Sequence, residues 1–389
     1  MNYIFRCFVT NDAINCIVDV MSNQMKMKCK ALILIGFYLL VSLQLKAEVS
    51  NHTLAVLVNI NDPESVEIAE YYKQARLIPD KNIIYLSFAR DVNSLTASEF
   101  ENIQTDLKEK VSDDIQVYAL AWRKPWRVAC MSITSAFSLG FSRDYCAIGC
   151  KKTRPIDYFN SQSKQPYTDF GIRPSMMLSG NNVEAVKKII DKGVAADYSR
   201  PKASAYLVST SDKQRNVRAV NYRGIKSTLR QLLNIEQINA DAIKNKTDVM
   251  FYFTGLKQVN YKSTNKYMPG AIADHLTSTG GALFNGTQMS VLDWIDSGVT
   301  GTYGTVVEPC NFLQKFPYPG IVMQKYLSGD SLIEAYWKSV QMPGQGVFVG
   351  EPLASPYIGC RYQLSTNGKL SYVLQQPNNY IERISKNCH

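Results

Sequence analysis

The run "TLAVLVN", Thr53 to Asn59, gives way after three residues to "PESVEIAEYYKQARLI", and no other feature limits the fold of this 389-residue chain so tightly. A short apolar run bounded by polar residues predicts a buried strand, and Asp62 before Pro63 supplies an N-cap and a first helical position. "KNIIYLSF" predicts a second strand, "TASEFENIQTDLKEKV" a second helix with a Thr96–Glu99 capping box, and "IQVYALAW" a third strand ending near Trp122. Strand–helix–strand units of this length imply parallel strands with right-handed crossovers. The predicted class is therefore α/β, with a doubly wound, mostly parallel sheet. Ile68, Tyr71 and Tyr72 share one helical face and read as core.

Regular periodicity lapses between residues 123 and 181, a stretch with four prolines and three cysteines. An irregular segment of that length predicts a loop-rich insertion that serves a site or a contact. The alternation then resumes with a helix in "NVEAVKKIIDKGVAAD", a strand in "SAYLVST", a helix from Asp212 through "DKQRNVRAVNYRGIKSTLRQLL", and a strand in "TDVMFYFTG". After a tyrosine-rich loop come "GAIADHLTSTGG", a short helix in "SVLDWIDSG" ending at Gly298, a strand in "TGTYGTVV" ending at Glu308, and a helix in "SLIEAYWKSV". "RYQLSTNGKLSYVL" predicts a hairpin turning at Asn367-Gly368, within a C-terminal hairpin and tail over 357–389. Residues 48–389 read as one α/β domain.

The N-terminus carries an export pattern. From Met25, Lys26, Lys28 and Lys30 form a basic region, Ala31 to Leu45 an apolar one, and Ala47 a small residue for cleavage, so 25–47 read as a signal peptide and 1–24 as an upstream extension. The apolar stretch is shorter than the roughly 20 residues of a spanning helix. An uncleaved membrane anchor is the alternative; the first reading predicts an exported chain, in the periplasm or at the cell surface, with no membrane span after cleavage. Removing the first 47 residues takes away five basic and two acidic residues, so the net charge falls from +10 to +7. That charge is spread along the chain without interleaved aromatics, which argues against nucleic acid and allows an anionic envelope polymer as partner.

Six cysteines follow the cleavage point: Cys130, Cys146, Cys150, Cys310, Cys360 and Cys388. An even number in an exported chain predicts disulfides, with fifteen connectivities open if all pair. Cys146 and Cys150 lack the matching second pair of a zinc site, and no cofactor or metal is expected.

In open α/β sheets ligands bind at the carboxyl ends of strands. The strand assignments place Asn59 and Asp62, Thr210 and Asp212, Thr254, Asp274 and His275, and Glu308 at such ends, with Arg215 and Arg218 on the helix that follows Asp212. Cys310 as nucleophile and His275 as base, beside Asp274, form the sharpest chemical hypothesis, with the amides of Gly280 and Gly281 as oxyanion donors. Against it, Cys310 can pair with Cys360, and a single histidine in an apolar stretch more often has a structural hydrogen-bonding role. Asp274, His275, Glu308 and Glu351 are acceptable as an acid/base or hard-metal cluster, but no spacing rule unites them. Glu308-Pro309 and Glu351-Pro352 also read simply as extended turns.

The ordered series "LVNINDPESVEIAEYYKQARLIP", "DFGIRPSMML", "AYLVSTSDKQRNVRAV", "FYFTGL", "MPGAIADHLTSTGGALF", "QMSVLDWIDSGVTGTYGTVVEPCN", "KFPYPG" and "EAYWKSVQMPGQGVFVGEPLASP" resembles a family of exported bacterial proteins of unassigned activity, associated with genomes that carry exosortase-type surface sorting. The resemblance covers Leu54 to Pro356. The end "NNYIERISKNCH" is polar, so the resemblance implies a companion of such a sorting system rather than its cargo. A more distant resemblance is to gingipain-like cysteine peptidases of the caspase-type fold, a three-layer sandwich. It puts Thr254 of "FYFTGL" where the base would stand, gives "GAIADHLTS" the next place without a cysteine, and matches "GVTGTYGTVV" to the strand after. Two expectations follow. One is a thiol hydrolase using His275 and Cys310; the other is a catalytically degenerate relative whose strand-end crevice binds a peptide or an envelope polysaccharide, with Asp62, Asp212, Arg215, Thr254, Glu308 and Glu351 as candidate binding residues.

Overall fold

The structure is a computed structural model, and it describes residues 48–147, 149–359, 361–364 and 370–373. These fall in the unit Ala47–His389. The expected signal peptide, the upstream extension, Cys360, Cys388 and the Asn367-Gly368 turn lie outside the described residues.

The first third folds as its sequence pattern dictates. Strand β1 (Leu54–Asn59) is buried at all six positions, which is why its run is apolar without alternation. Helix α1 (Pro63–Arg76) begins where Asp62 accepts the Glu64 N–H at 3.1 Å and Pro63 enters at the first position. After it come β2 (Ile83–Leu86), a short β3 (Ser94–Leu95), α2 (Ala97–Lys110), capped by the Thr96–Glu99 box, and β4 (Val117–Leu120). β1 pairs parallel with β2 on one side and β4 on the other, with Leu57 opposite both Ile84 and Leu120.

The segment 123–181 is more ordered than its composition predicts. It contributes β5 (Arg127–Val128) and β6 (Met131–Ser132), which join β3 in a small sheet, then α3 (Ile133–Leu139) and α4 (Pro166–Phe170). It also supplies β7 (Ser175–Met177), a three-residue strand inside the main sheet and parallel to β4. Three residues are too few for a period to show, but all three are buried.

The remainder adds α5 (Val183–Ala196), β8 (Ser204–Ser209), α6 (Tyr222–Leu229), β9 (Asn234–Asn239), β10 (Val249–Thr254), β11 (Tyr267–His275), α7 (Leu292–Asp296), β12 (Gly301–Thr305), α8 (Pro319–Leu327), α9 (Leu332–Trp337) and β13 (Gly346–Gly350). The long helix expected from Asp212 is instead a turn, a 3-10 stretch over Asn216–Asn221, and then α6. The side chain of Asp212 accepts the amides of Gln214 and Arg215 and holds that turn. β12 stops at Thr305, short of Glu308. β14 (Arg361–Leu364) and β15 (Leu370–Val373) pair antiparallel as the expected hairpin.

The main sheet has ten strands in the order β2-β1-β4-β7-β13-β12-β11-β10-β8-β9, mostly parallel; β13 runs antiparallel to β12. Helices cover both faces, giving three layers. α1, α5 and α7 pack together on one face, while α2 and α3 sit on the other, as the leftward and rightward crossovers from β1 and β2 require. The segments that follow β4 and β11 meet. The Arg123 guanidinium just past β4 lies 5.3 Å from the ring of Phe284, and Gly281, in the same segment as Phe284, donates its amide to the Thr305 carbonyl at the end of β12.

That last bond explains the Gly-Gly pair. A Cβ on Gly281 would stand 2.5 Å from the Gly304 carbonyl oxygen, so the two backbones meet where only glycine fits. We expect Gly281→Ala to destabilise the fold by about 1–3 kcal/mol through overpacking, measured by urea unfolding. The bond to Thr305 already uses the Gly281 amide, so Gly281 is not available as an oxyanion donor.

Candidate functional site

Beyond the ends of β8, β11 and β12 lies a cleft of about 560 Å³. Its walls are Gln214 and Arg215 after β8, Leu276, Thr277 and Ser278 after β11, and Glu308, Pro309, Cys310, Asn311, Phe312 and Phe316 after β12, with Cys150 arriving from the insertion. Of the residues expected at strand ends, Arg215, Glu308 and Cys310 are brought together in this cleft.

Arg215 is positioned by two neighbours. Its Nη1 donates to Asp212 at 2.9 Å and its Nε to the Thr277 hydroxyl at 3.1 Å. Thr277 in turn donates to Gln288 Oε1 at 2.5 Å, and the same oxygen accepts the Thr279 amide. Arg215 lines the cleft, so a cation held by two neighbours forms part of its wall. Asp212 thus holds Arg215 and does not itself line the cleft.

The nucleophile-and-base pair does not survive. Cys310 is bonded to Cys150 with S–S 2.03 Å, not to Cys360, and a disulfide sulfur is not a thiolate. A second disulfide joins Cys130 to Cys146. His275 is buried against α7, where the Trp294 indole donates to its Nδ1 at 3.0 Å. An indole N–H can only donate, so Nδ1 is the acceptor and Nε2 carries the proton, which it gives to the Met289 carbonyl at 3.1 Å. Burial pushes the imidazole down to about 3, with Arg218, Lys262 and Arg215 adding to the fall and the Met289 bond opposing it. A ring with both nitrogens engaged has no lone pair to offer a substrate.

Asp274 does not support His275, because neighbouring residues on a strand point to opposite faces. Its carboxylate meets Arg218 at 2.5 Å on the other side of the sheet, fully buried, and burial pushes Asp274 above the usual carboxylate range despite that cation. Thr254 stands beside His275 in register, also buried, and its carbonyl accepts from Arg218. "FYFTGL" and "GAIADHLTS" are thus adjacent parallel strands, and the buried Thr254 does not line the cleft.

Two further candidates lie elsewhere. Asp62 caps α1 and does not line the cleft. Glu351 is at the opposite edge, buried with Tyr72 and with Arg76 at the end of α1, while Arg76 also pairs with Asp197. That arrangement is an anchor for α1 and α5. The acid/base or metal set of Asp274, His275, Glu308 and Glu351 is consequently scattered. Among the described residues no group of three or more His, Cys, Asp or Glu is placed to hold a metal ion.

Several cleft residues carry no motif. Thr277 and Ser278 follow a strand whose preceding residues drew attention to themselves, and the polar "TST" after "ADHL" was the available signal. Lys315, the neighbour of the cleft-lining Phe316 and not itself part of the wall, is marked by no pattern either. Burial pulls it down to about 8, Glu308 partly countering, and its Nζ donates to the Lys151 carbonyl at 2.7 Å, tying the segment after β12 to the insertion.

No family model matches the chain, and no curated protein matches it. A solved structure described as "Structure of Protease" superposes on it with a TM-score of 0.44 and 11% identity, covering 82% of each chain. The chemistry of the cleft therefore stands on its own residues. Among those described, no helix is long and apolar enough to cross a membrane.

Proposed function

We propose that the chain is an exported, catalytically degenerate relative of caspase-type cysteine peptidases, and that its strand-end cleft binds a peptide segment without cleaving it. The observation that carries this reading is the state of the two expected reactive groups: Cys310 is held in a disulfide at the cleft wall, and both nitrogens of the buried His275 are engaged. The lining supports a peptide. Leu276, Phe312 and Phe316 offer apolar contact, while Arg215, Thr277, Ser278, Glu308 and Asn311 offer groups of both signs for a backbone and its side chains. The two disulfides are compatible with an oxidising compartment.

Binding is to be measured by fluorescence polarisation with a labelled, randomised nonapeptide pool. We expect saturable binding that Arg215→Ala weakens by about tenfold, in line with the loss of an oriented cation at the centre of an interface. In parallel, iodoacetamide applied to the unreduced, denatured protein is expected to leave Cys310 unlabelled. Turnover of a fluorogenic peptide by the unreduced protein, accompanied by single-site labelling of Cys310, would defeat the reading.

A further inference from the structure

The two disulfides occupy different surroundings. Cys146 is buried and Cys130 packs against the core, so that bond is shielded by protein on most sides. Cys150 is exposed, and the Cys150–Cys310 bond forms part of the cleft wall itself. An attacking thiol must reach a sulfur along the S–S axis, so exposure within a binding cleft is what separates an exchangeable bond from a structural one.

The backbone around Cys310 points the same way. Cys310 has φ 54°, in the left-handed region that a residue with a Cβ rarely adopts, and it is held there by its amide donating to Glu308 Oε1 at 2.7 Å. The segment is fastened across to the insertion by the disulfide and by Lys315 donating to the Lys151 carbonyl. Charge is arranged suitably as well. Lys151 and Lys152 are exposed directly after Cys150, and the oriented Arg215 faces the same cleft. Nearby cations stabilise a departing thiolate and make it a better leaving group.

We propose that Cys150–Cys310 is a thiol–disulfide exchange site for cysteine-bearing peptides held in the cleft. The inference rests on the cleft being a peptide site and adds the class of peptide it takes. A peptide thiolate attacks Sγ of the exposed Cys150; the S–S bond breaks, its electron pair passing to Cys310 Sγ, which leaves as a thiolate. The product is a mixed disulfide between the peptide and Cys150. Where the peptide carries a second thiol, that group attacks the peptide sulfur of the mixed disulfide, and Cys150 leaves as a thiolate. The peptide dithiol has then lost two electrons and two protons and departs as a disulfide, while Cys150 and Cys310 have gained both as a dithiol. One equivalent is oxidised per chain.

The test uses the unaltered oxidised protein and two fluorescein-labelled nonapeptide pools, randomised around a central cysteine or a central serine. Exchange with the cysteine pool is quenched with acid and N-ethylmaleimide, which caps the released Cys310, and the adducts are located by mass spectrometry. We expect peptide on Cys150 and maleimide on Cys310, formed about tenfold or more faster than with glutathione, while Cys130–Cys146 stays paired. The serine pool is expected to bind saturably without adduct. Equal rates for the peptide pool and glutathione, or adducts spread over both disulfides, would overturn the exchange site while leaving the cleft reading intact if the serine pool still binds. A serine pool that does not bind overturns the cleft reading and this inference with it.

Discussion

Between pH 6.5 and about pH 4.5 the folded chain is expected to lose about 2–3 kcal/mol of stability through His275 alone, and His275→Gln is expected to abolish most of that slope. In the fold the imidazole titrates at about 3, chiefly because it is buried, against an ordinary value of about 6.5 in the unfolded chain. The unfolded chain therefore takes up a proton below pH 6.5 that the folded chain refuses. Stability is fully present above that pH and falls steadily toward pH 3, by roughly 5 kcal/mol in all at about 1.4 kcal/mol per unit of pH. Glutamine can donate an amide hydrogen to Met289 and accept from Trp294, so at pH 7 the variant should lose only about 1–2 kcal/mol. Urea unfolding followed by tryptophan fluorescence at four pH values in this window decides the matter. Parallel slopes for the two proteins would mean that His275 takes up its proton in the folded state.

The same histidine shows what a sequence can and cannot reveal. Its place at the end of a parallel strand followed from the apolar run before it, and so did the location of the cleft. Its role did not, because the partners that engage the ring are Met289 and Trp294, brought to it by a loop and a five-residue helix whose packing has no local signature. Cys310 is similar. Disulfide bonding was expected from an even number of cysteines, yet its partner Cys150 lies 160 residues away, and only the folded insertion brings the two within 5.4 Å at Cα.

Strands were legible where burial on both faces forced continuous apolar runs, as in β1, β8 and β10. They were missed where other constraints wrote the sequence. β9, "NIEQIN", is an edge strand, mostly polar because one side of it meets solvent. β13, "GVFVG", is bounded by glycines because Gly346 lies against the Tyr303 ring and Gly350 against the Thr300 carbonyl, and glycine is ordinarily read as punctuation. β7 is too short to carry a period at all. The helix expected from Asp212 begins only at Tyr222, because the Asp212 side chain closes a turn and holds Arg215 instead.

Arg218→Leu is expected to destabilise the fold by about 3–5 kcal/mol, the cost of leaving a buried carboxylate without its cation. Arg218 and Asp274 are both almost wholly buried, and the guanidinium group also donates to the Thr254 carbonyl at 2.7 Å and the Pro317 carbonyl at 3.3 Å. Leucine replaces none of these donors. The pair is not a net asset on that account, since Asp274 Oδ2 and Arg218 Nε make no protein hydrogen bond despite being buried. Desolvation that is incompletely offset is the condition under which an apolar pair of similar volume does as well as an ionic one. Arg218→Leu combined with Asp274→Leu should accordingly recover at least about half of the loss, because a carbonyl without a donor costs less than a carboxylate without a cation. Urea unfolding of wild type, both single variants and the double variant at pH 7 gives the coupling directly. Additive losses in the double variant would show that Arg218 stabilises the sheet through Thr254 and Pro317 rather than through Asp274. In that event the backbone at the end of β10 would be what the buried arginine holds in place.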